Sequence, residues 1–506
     1  MSTRSKITHG LSWNTFTVVF QVLIQLVYTG ILARMLVPGD FAVMGVVLGL
    51  MGFAEIFSQV GIGPALVQRK EIHPQHLSGA FYTALLMGIA FTLLFFFLAP
   101  WFETLYGMAG LTDIIRVVST SFLISAIGVV PRSLMIKELA FKRFFTAGMI
   151  SIIGGNLIIG LALAYSGYGV WAYVWALFAQ NTIMTIAYWI LHPVRIPLSW
   201  KGSYTRELIR YGAGSTLFNA LNYAATKVDV TLTPLFAAKA AGADLNESLR
   251  RSGLYERSAY LVSLPITIMG KLSDNVMFSG MAAMQDDTAR LKKSILIANH
   301  FLGLAIIPIV CFAICFAPEI ILLYLGDQYA GAIPILQVLL SAVIFRTLSR
   351  IADSLLRARD ATFQGSWVKA VYLTLMIVGV IIGATYGMIW VAAAISLTTA
   401  IHLVMSMSLC KKLIGSSMKS QLKSTLPGWI IGMSILLTGF PLSFGLRYFE
   451  LPHLAVLTAG SLMAFMLAIF ILLRAPFLLG KGEMNLIRFL PARIRSLPLI
   501  RRMDNS

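Results

Sequence analysis

Fourteen apolar runs, most of them at least about 20 residues long and separated by short polar gaps, decide what this chain can fold into. They lie near residues 10–32, 41–65, 78–100, 113–136, 144–166, 168–192, 207–236, 253–278, 294–317, 331–353, 364–385, 388–409, 427–446 and 454–473. Each can cross about 30 Å of hydrocarbon at about 1.5 Å per residue. In lipid every backbone N–H and C=O needs a partner within its own segment, so runs of this length that contain Gly and Pro must be helices. The expected fold is therefore an all-α polytopic membrane protein of about fourteen transmembrane helices. A soluble alternative fails on charge: with 12% charged residues and a mean hydropathy of +0.81, 506 residues cannot coat a globule.

The chain carries 40 Lys and Arg against 21 Asp and Glu. In a soluble protein a net charge of +19 would suggest nucleic acid; here the cations fall in alternate gaps, and no nucleic-acid partner is expected. With the N-terminus placed in the cytoplasm, 28 cations lie in inside gaps and flanks and five in outside gaps, namely Arg34, Lys239, Arg250, Arg251 and Arg447. That bias puts both termini in the cytoplasm, which requires an even number of spans. The first run is too long for a signal-peptide core and has no small-residue cleavage site after it, so it is expected to remain.

The sequence repeats at a shift of six runs. Leu134 to Phe141 resembles Leu355 to Thr362, and Tyr168-Gly169-Val170-Trp171 recurs loosely as Tyr386-Gly387-Met388-Ile389-Trp390. Two six-helix lobes follow, at 1–192 and 193–425, with two additional spans at 426–475 and a basic tail at 476–506. No gap has room for a soluble catalytic or nucleotide-binding domain, and Gly480-Lys481 lacks the rest of a phosphate-binding loop. No cofactor is expected. Cys311, Cys315 and Cys410 give no disulfide framework and read as small buried apolar residues, with no metal site.

Polar residues run in lines along the leading helix of each lobe. Asn14, Thr17, Gln21, Gln25 and Tyr28 share one face of the first; Ser215, Asn219, Asn222, Thr226, Asp229 and Thr233 share one face of the seventh. Interhelical hydrogen bonding explains one or two such residues at about 0.6–2 kcal/mol each, whereas full-length lines point to a water-filled cavity. Ionisable residues inside spans carry functional hypotheses, because they must be paired or hydrated. Of the seven such cations, Arg116, Arg257 and Lys369 lie near span ends where they can snorkel, which leaves Lys227, Lys271, Arg346 and Arg350. Arg350 could pair locally with Asp353, and Lys271 with Asp274. Glu55, deep in the second span, reads either as a coupling group for ion or proton movement or as an interhelical hydrogen-bonding partner.

The chain resembles the polysaccharide transporters of the MOP exporter superfamily, flippases of lipid-linked oligosaccharides. The resemblance is carried by Leu32-Ala33-Arg34, Pro38-Gly39-Asp40-Phe41, Gly45, Phe57 with Gly61, and Leu66-Val67-Gln68. In the second lobe it is carried by Arg210-Tyr211-Gly212, Asn219, Asn222, Asp229, Gly253-Leu254-Tyr255, Ala259-Tyr260 and Leu264-Pro265. Ala317-Pro318-Glu319 and Leu325-Gly326-Asp327-Gln328-Tyr329 complete it. Two features depart from the pattern: a long gap from Ala237 to Ser252, and Ser279 where relatives often place proline.

That resemblance implies alternating access between two lobes and outward movement of a polyprenyl-diphosphate-linked oligosaccharide for exopolysaccharide or lipopolysaccharide synthesis. It implies a bacterial inner membrane, drive by an ion gradient, and glycan assembly proteins and membrane lipids as partners. The polar lines would then line the sugar path, and Lys227, Lys271, Arg346 and Arg350 would contact the diphosphate. Two other readings stand beside it. A cation-coupled drug exporter of the same superfamily would favour carboxylates in the first lobe and twelve spans, whereas here the first helix has none and fourteen spans are counted; a membrane glycan polymerase or ligase would need a large outside loop, and no outside gap is large. The chain is accordingly expected not to be an enzyme.

Overall fold

The computed structural model describes residues 20–59, 61–69, 71–138, 140–197, 220–237, 244–282, 284–359 and 361–475, without the side chains of residues 68, 141, 268–280, 282 and 362. Among them every regular element is helical. Helix α1 (Phe20–Met35) is followed by α2 (Pro38–Ser58), α3 (Ile62–Gln68), α4 (Pro74–Tyr106), α5 (Leu111–Lys137) and α6 (Phe141–Ser151). A π-helical stretch (Ile152–Gly160) then leads into α7 (Leu161–Tyr165) and α8 (Val170–Leu191). Next come α9 (220–237), α10 (Leu245–Ala282), α11 (Thr288–Cys315), α12 (Ala317–Tyr324), a 3-10 turn (Asp327–Ala332) and α13 (Ile333–Ala358). The chain continues through α14 (Thr362–Tyr386), α15 (Met388–Ile414), α16 (Met418–Tyr448) and α17 (His453–Arg474).

Eleven helical stretches among the described residues are long and apolar enough to cross a membrane, with α6, the π-helical stretch and α7 forming one of them. Helices α1, α9 and α10 occupy the other three expected positions. The first two begin at the first described residue of their segments, and α10 is diluted by Glu247, Arg250, Arg251, Glu256, Arg257, Lys271 and Asp274. The gap expected between Ala237 and Ser252 is partly helical, because α10 starts at Leu245. Its first turns are tied by Glu247, which accepts from Arg250 Nε at 2.9 Å and Arg251 Nε at 2.8 Å. At its other end α10 runs past Ser279 to Ala282.

Helix boundaries follow the local chemistry. Proline starts α2 and α4, where a missing N–H costs nothing, and Asp287 and Ser417 cap α11 and α16 through side-chain bonds to Arg290 N and Ser420 N. The two matched aromatic motifs form equivalent turns, α7 to α8 and α14 to α15. Each turns on a glycine with positive φ, 54° at Gly169 and 116° at Gly387.

The described backbone forms two compact units: Met1–Arg257 with Met376–Met388, and Ser258–Leu375 with Ile389–Ser506. In the first unit α2, α9 and the start of α10 pack closely through glycine. A Cβ on Gly253 would lie 1.7 Å from the Pro38 carbonyl oxygen, and one on Gly45 would lie 2.8 Å from both Val230 and Glu256.

In the second unit α16 packs along α11 in the same way. A Cβ on Gly428 would meet the Gly303 carbonyl at 2.2 Å, while Gly432 and Gly439 accommodate the thiols of Cys311 and Cys315. All three cysteines are free and buried, as small apolar residues would be. Helix α17 adds Gly460 against the Phe316 ring. Arg447 of α16 closes this packing on Glu319 of α12, donating through Nε at 2.6 Å and Nη2 at 2.8 Å to a carboxylate with no exposed surface. Arg447→Met should lower unfolding stability in nanodiscs by about 2–3 kcal/mol, somewhat less than for a fully buried pair. An unchanged unfolding midpoint would show that the glycine packing alone holds α16 and α17.

Candidate functional site

The described part of the polar line on α1 is fitted against the fifth span. Asn156 Nδ2 donates to Gln25 Oε1 at 3.2 Å. A Cβ on Gly148 would lie 2.6 Å from Gln21 Nε2, and one on Gly160 would lie 2.9 Å from the buried Tyr28 hydroxyl. Gln21, Gln25 and Tyr28 thus meet Gly148, Asn156 and Gly160 in order, on a helix that widens into π geometry at Ile152–Gly160. Asn14 and Thr17 lie outside the described residues.

The line on α9 changes character along its length. Asn222, Thr226 and Lys227 are exposed, whereas Asp229 and Thr233 are buried. Asp229 accepts from the Tyr255 hydroxyl at 3.1 Å, and Thr233 Oγ1 donates back to the Asp229 carbonyl at 2.6 Å. Lys227 makes no ion pair among the described residues, which leaves its ammonium available at the open part of the helix. Ser215 and Asn219 lie outside the described residues, as does the side chain of Lys271; so does that of Asp274, its suggested partner.

Where α9 closes, a charged and aromatic cluster fills the junction of α2 and α10. Arg257 is 1% exposed, donates from Nε to Glu256 at 2.5 Å and stands 3.9 Å above the Phe41 ring, which meets Tyr173 edge-on. Arg257 also lies within electrostatic reach of Tyr28. The snorkelling expected of Arg257 is therefore corrected: close packing of α10 on α2 at Gly253 and Gly45 covers the side chain before it could reach an interface. Arg116 does remain at the edge, over the Phe96 ring at 4.7 Å.

Glu55 sits further along α2. It accepts from Gln59 Nε2 at 2.9 Å and from Ser125 of α5, with Arg132 within electrostatic reach. Tyr223 of α9 also faces it and donates its hydroxyl to the Leu48 carbonyl at 2.9 Å. Of the two readings the sequence left open for Glu55, the interhelical hydrogen bond is present, to Ser125 of α5.

The second unit holds a separate buried cluster. Lys369 Nζ of α14 donates to Asp353 Oδ2 of α13 at 2.7 Å, and both side chains are largely buried. Lys369 thus does not snorkel either, because Asp353 gives it an internal partner, and the partner shown for Asp353 is Lys369 of α14. Arg346 and Arg350 are half-buried on α13. His402 of α15 meets the Tyr372 ring at a tilt of 31°, with ring centroids 4.4 Å apart, and Tyr372 meets Thr399 at 3.3 Å. Sequence reading passed over Ser396, Thr399, His402 and Ser406, although their spacing of three, three and four is the signal used for α1 and α9.

Helices of this length, charges buried as pairs inside them and polar lines at their centre define a multi-pass membrane protein with the fold of MOP-superfamily transporters. Against solved structures, lipid II flippase MurJ in an inward closed conformation aligns with a TM-score of 0.70 at 14% identity, over 91% of this chain and 99% of that one. The family model described as polysaccharide biosynthesis protein matches residues 31–334, and the chain belongs to that family. Lipopolysaccharide biosynthesis protein WzxC of Escherichia coli strain K12 is 24% identical over 88% of this chain and 89% of its own. Teichuronic acid biosynthesis protein TuaB of Bacillus subtilis strain 168 is 22% identical over 96% and 100%.

Proposed function

We propose that the chain is a flippase that moves polyprenyl-diphosphate-linked oligosaccharide repeat units across the bacterial cytoplasmic membrane, for envelope or secreted polysaccharide. Both termini face the cytoplasm in this reading, and two six-helix lobes alternate access, with the last two spans outside the repeat. The membership of the polysaccharide biosynthesis family supports the substrate class. The observation that carries the mechanism is the change along α9, from exposed Asn222, Thr226 and Lys227 to buried Asp229 and Thr233.

By the charge bias the N-terminal part of α9 lies toward the cytoplasm, so its polar residues face the side from which substrate enters. Neutral amides and hydroxyls suit sugar hydroxyls, and a lone ammonium suits a diphosphate that keeps part of its hydration. The closed end, built on Phe41, Asp229, Tyr255, Glu256 and Arg257, holds the far side shut. Glu55 serves as the coupling group, with Arg132 and Tyr223 sensing its charge. Lys271, Arg346 and Arg350 stand as further diphosphate contacts. The chain performs no bond chemistry in this scheme; its partners are the lipid-linked glycan, membrane lipids and glycan assembly proteins.

The test is transport by purified protein in liposomes loaded with a fluorescent polyprenyl-diphosphate oligosaccharide. Lys227→Gln should cut the initial rate about tenfold, as loss of one charge-assisted contact implies, while Arg116→Gln leaves it unchanged. Equal rates in the two variants, or no transport by the native chain, would sink this assignment.

A further inference from the structure

We propose that His402 is a proton-binding site of the second unit, acting on the Asp353–Lys369 pair. The proposal deepens the flippase reading by adding a coupling group far in sequence from Glu55. It stands on a buried polar line in an otherwise apolar helix. Ser396, Thr399, His402 and Ser406 share one face of α15, and the last three are 0%, 3% and 1% exposed.

Half of this line is bonded to its surroundings. Ser396 donates to the Val338 carbonyl at 3.0 Å, and Thr399 donates to the Ile395 carbonyl at 2.6 Å. His402 differs. Its ring is held against Tyr372, yet its Nε2 is buried with no hydrogen-bond partner among the described residues. Ser406 Oγ, one turn further on, is in the same condition. A buried imidazole nitrogen left without a partner is costly unless it does something, and imidazole is the side chain best suited to take up and release a proton.

The surroundings give protonation a consequence. Asp353 and Arg346 of α13 and Lys369 of α14 all lie within electrostatic reach of His402. Arg357 of α13 and Cys410 of α15 in turn face Asp353. These described groups comprise three cations, Lys369, Arg346 and Arg357, and one carboxylate, Asp353. A proton taken up at Nε2 converts the imidazole to imidazolium, adding a fourth cation that repels Lys369 and competes for Asp353. The pair that joins α13 to α14 then loosens, and release of the proton restores it. Ser406 and Cys410 continue the same face of α15 toward its C-terminus, an approach for the proton from that end.

Hydrogen exchange of the full chain in lipid nanodiscs tests this without any transport substrate. Peptides containing Asp353 and Lys369 should exchange at least about threefold faster at about pH 4 than at about pH 8, after correction for intrinsic rates. His402→Gln should abolish that difference. So should Asp353→Leu combined with Lys369→Met, which keeps His402 but removes what it acts on. An absent pH effect in the native chain, or one that persists in either variant, overturns the proposal. Failure of liposome transport alongside an intact pH effect would count against the flippase reading and leave the proton site standing.

Discussion

Replacing Lys369 by methionine is expected to destabilise the protein by about 3–5 kcal/mol, because it removes the bonded partner of the Asp353 carboxylate among packed helices. Asp353→Leu should cost a similar amount by stranding the ammonium. The double variant should cost far less than the sum, since a buried ion pair replaced by apolar residues of like size is often close to neutral. Unfolding of the three variants in mixed detergent micelles gives the coupling energy directly. Additive losses would show that the two groups do not depend on each other, against their 2.7 Å contact. If the double variant folds well but fails in liposome transport, the pair contributes to the transport cycle rather than to stability.

The all-α membrane fold was legible in the sequence because its signals are long. A run such as 454–473 has no reading except a helix in lipid, and Pro452 marks the turn before it. The matched motifs at Tyr168 and Tyr386 were legible for a sharper reason: each needs a glycine in left-handed geometry between two antiparallel spans. Segment boundaries were less legible where charge met helix. Leu245–Ser252 reads as a loop by hydropathy, yet Glu247, Arg250 and Arg251 pair along a helix face and extend α10 into it.

The candidate site was legible as lines but not as partners. Periodicity places Gln21, Gln25 and Tyr28 on one face, but that Gly148 and Gly160 leave room for Gln21 and Tyr28 is a property of packing between distant segments. The depth argument for cations was limited in the same way. It assumes that a long side chain near a helix end can reach water. Arg257 and Lys369 cannot, because Phe41 and Glu256 in one case and Asp353 in the other engage them first. Charge pairing between helices, as at Lys369 and Asp353, leaves no local trace in sequence, so two of the three residues set aside as snorkelling, Arg257 and Lys369, are buried in the structure.

Cysteines placed at Gly39 and Leu249 are expected to form a disulfide under mild oxidation and to stop transport when they do. A Cβ built on Gly39 lies 3.6 Å from the Leu249 Cβ, within the Cβ separation of about 3.5–4.5 Å that a disulfide requires. Gly39 begins α2 and Leu249 lies in the first turns of α10, so the bond would tie the two helices just beyond the Gly253 contact with Pro38. The native cysteines are buried, which confines mild oxidation to the new pair. If α2 and α10 must separate there to release the glycan on the far side, cross-linked protein should lose transport by at least about tenfold and recover it on reduction. Gly39→Cys or Leu249→Cys alone should transport normally. Full cross-linking with undiminished transport would mean that this end of the bundle stays closed through the whole cycle, and that release takes another route.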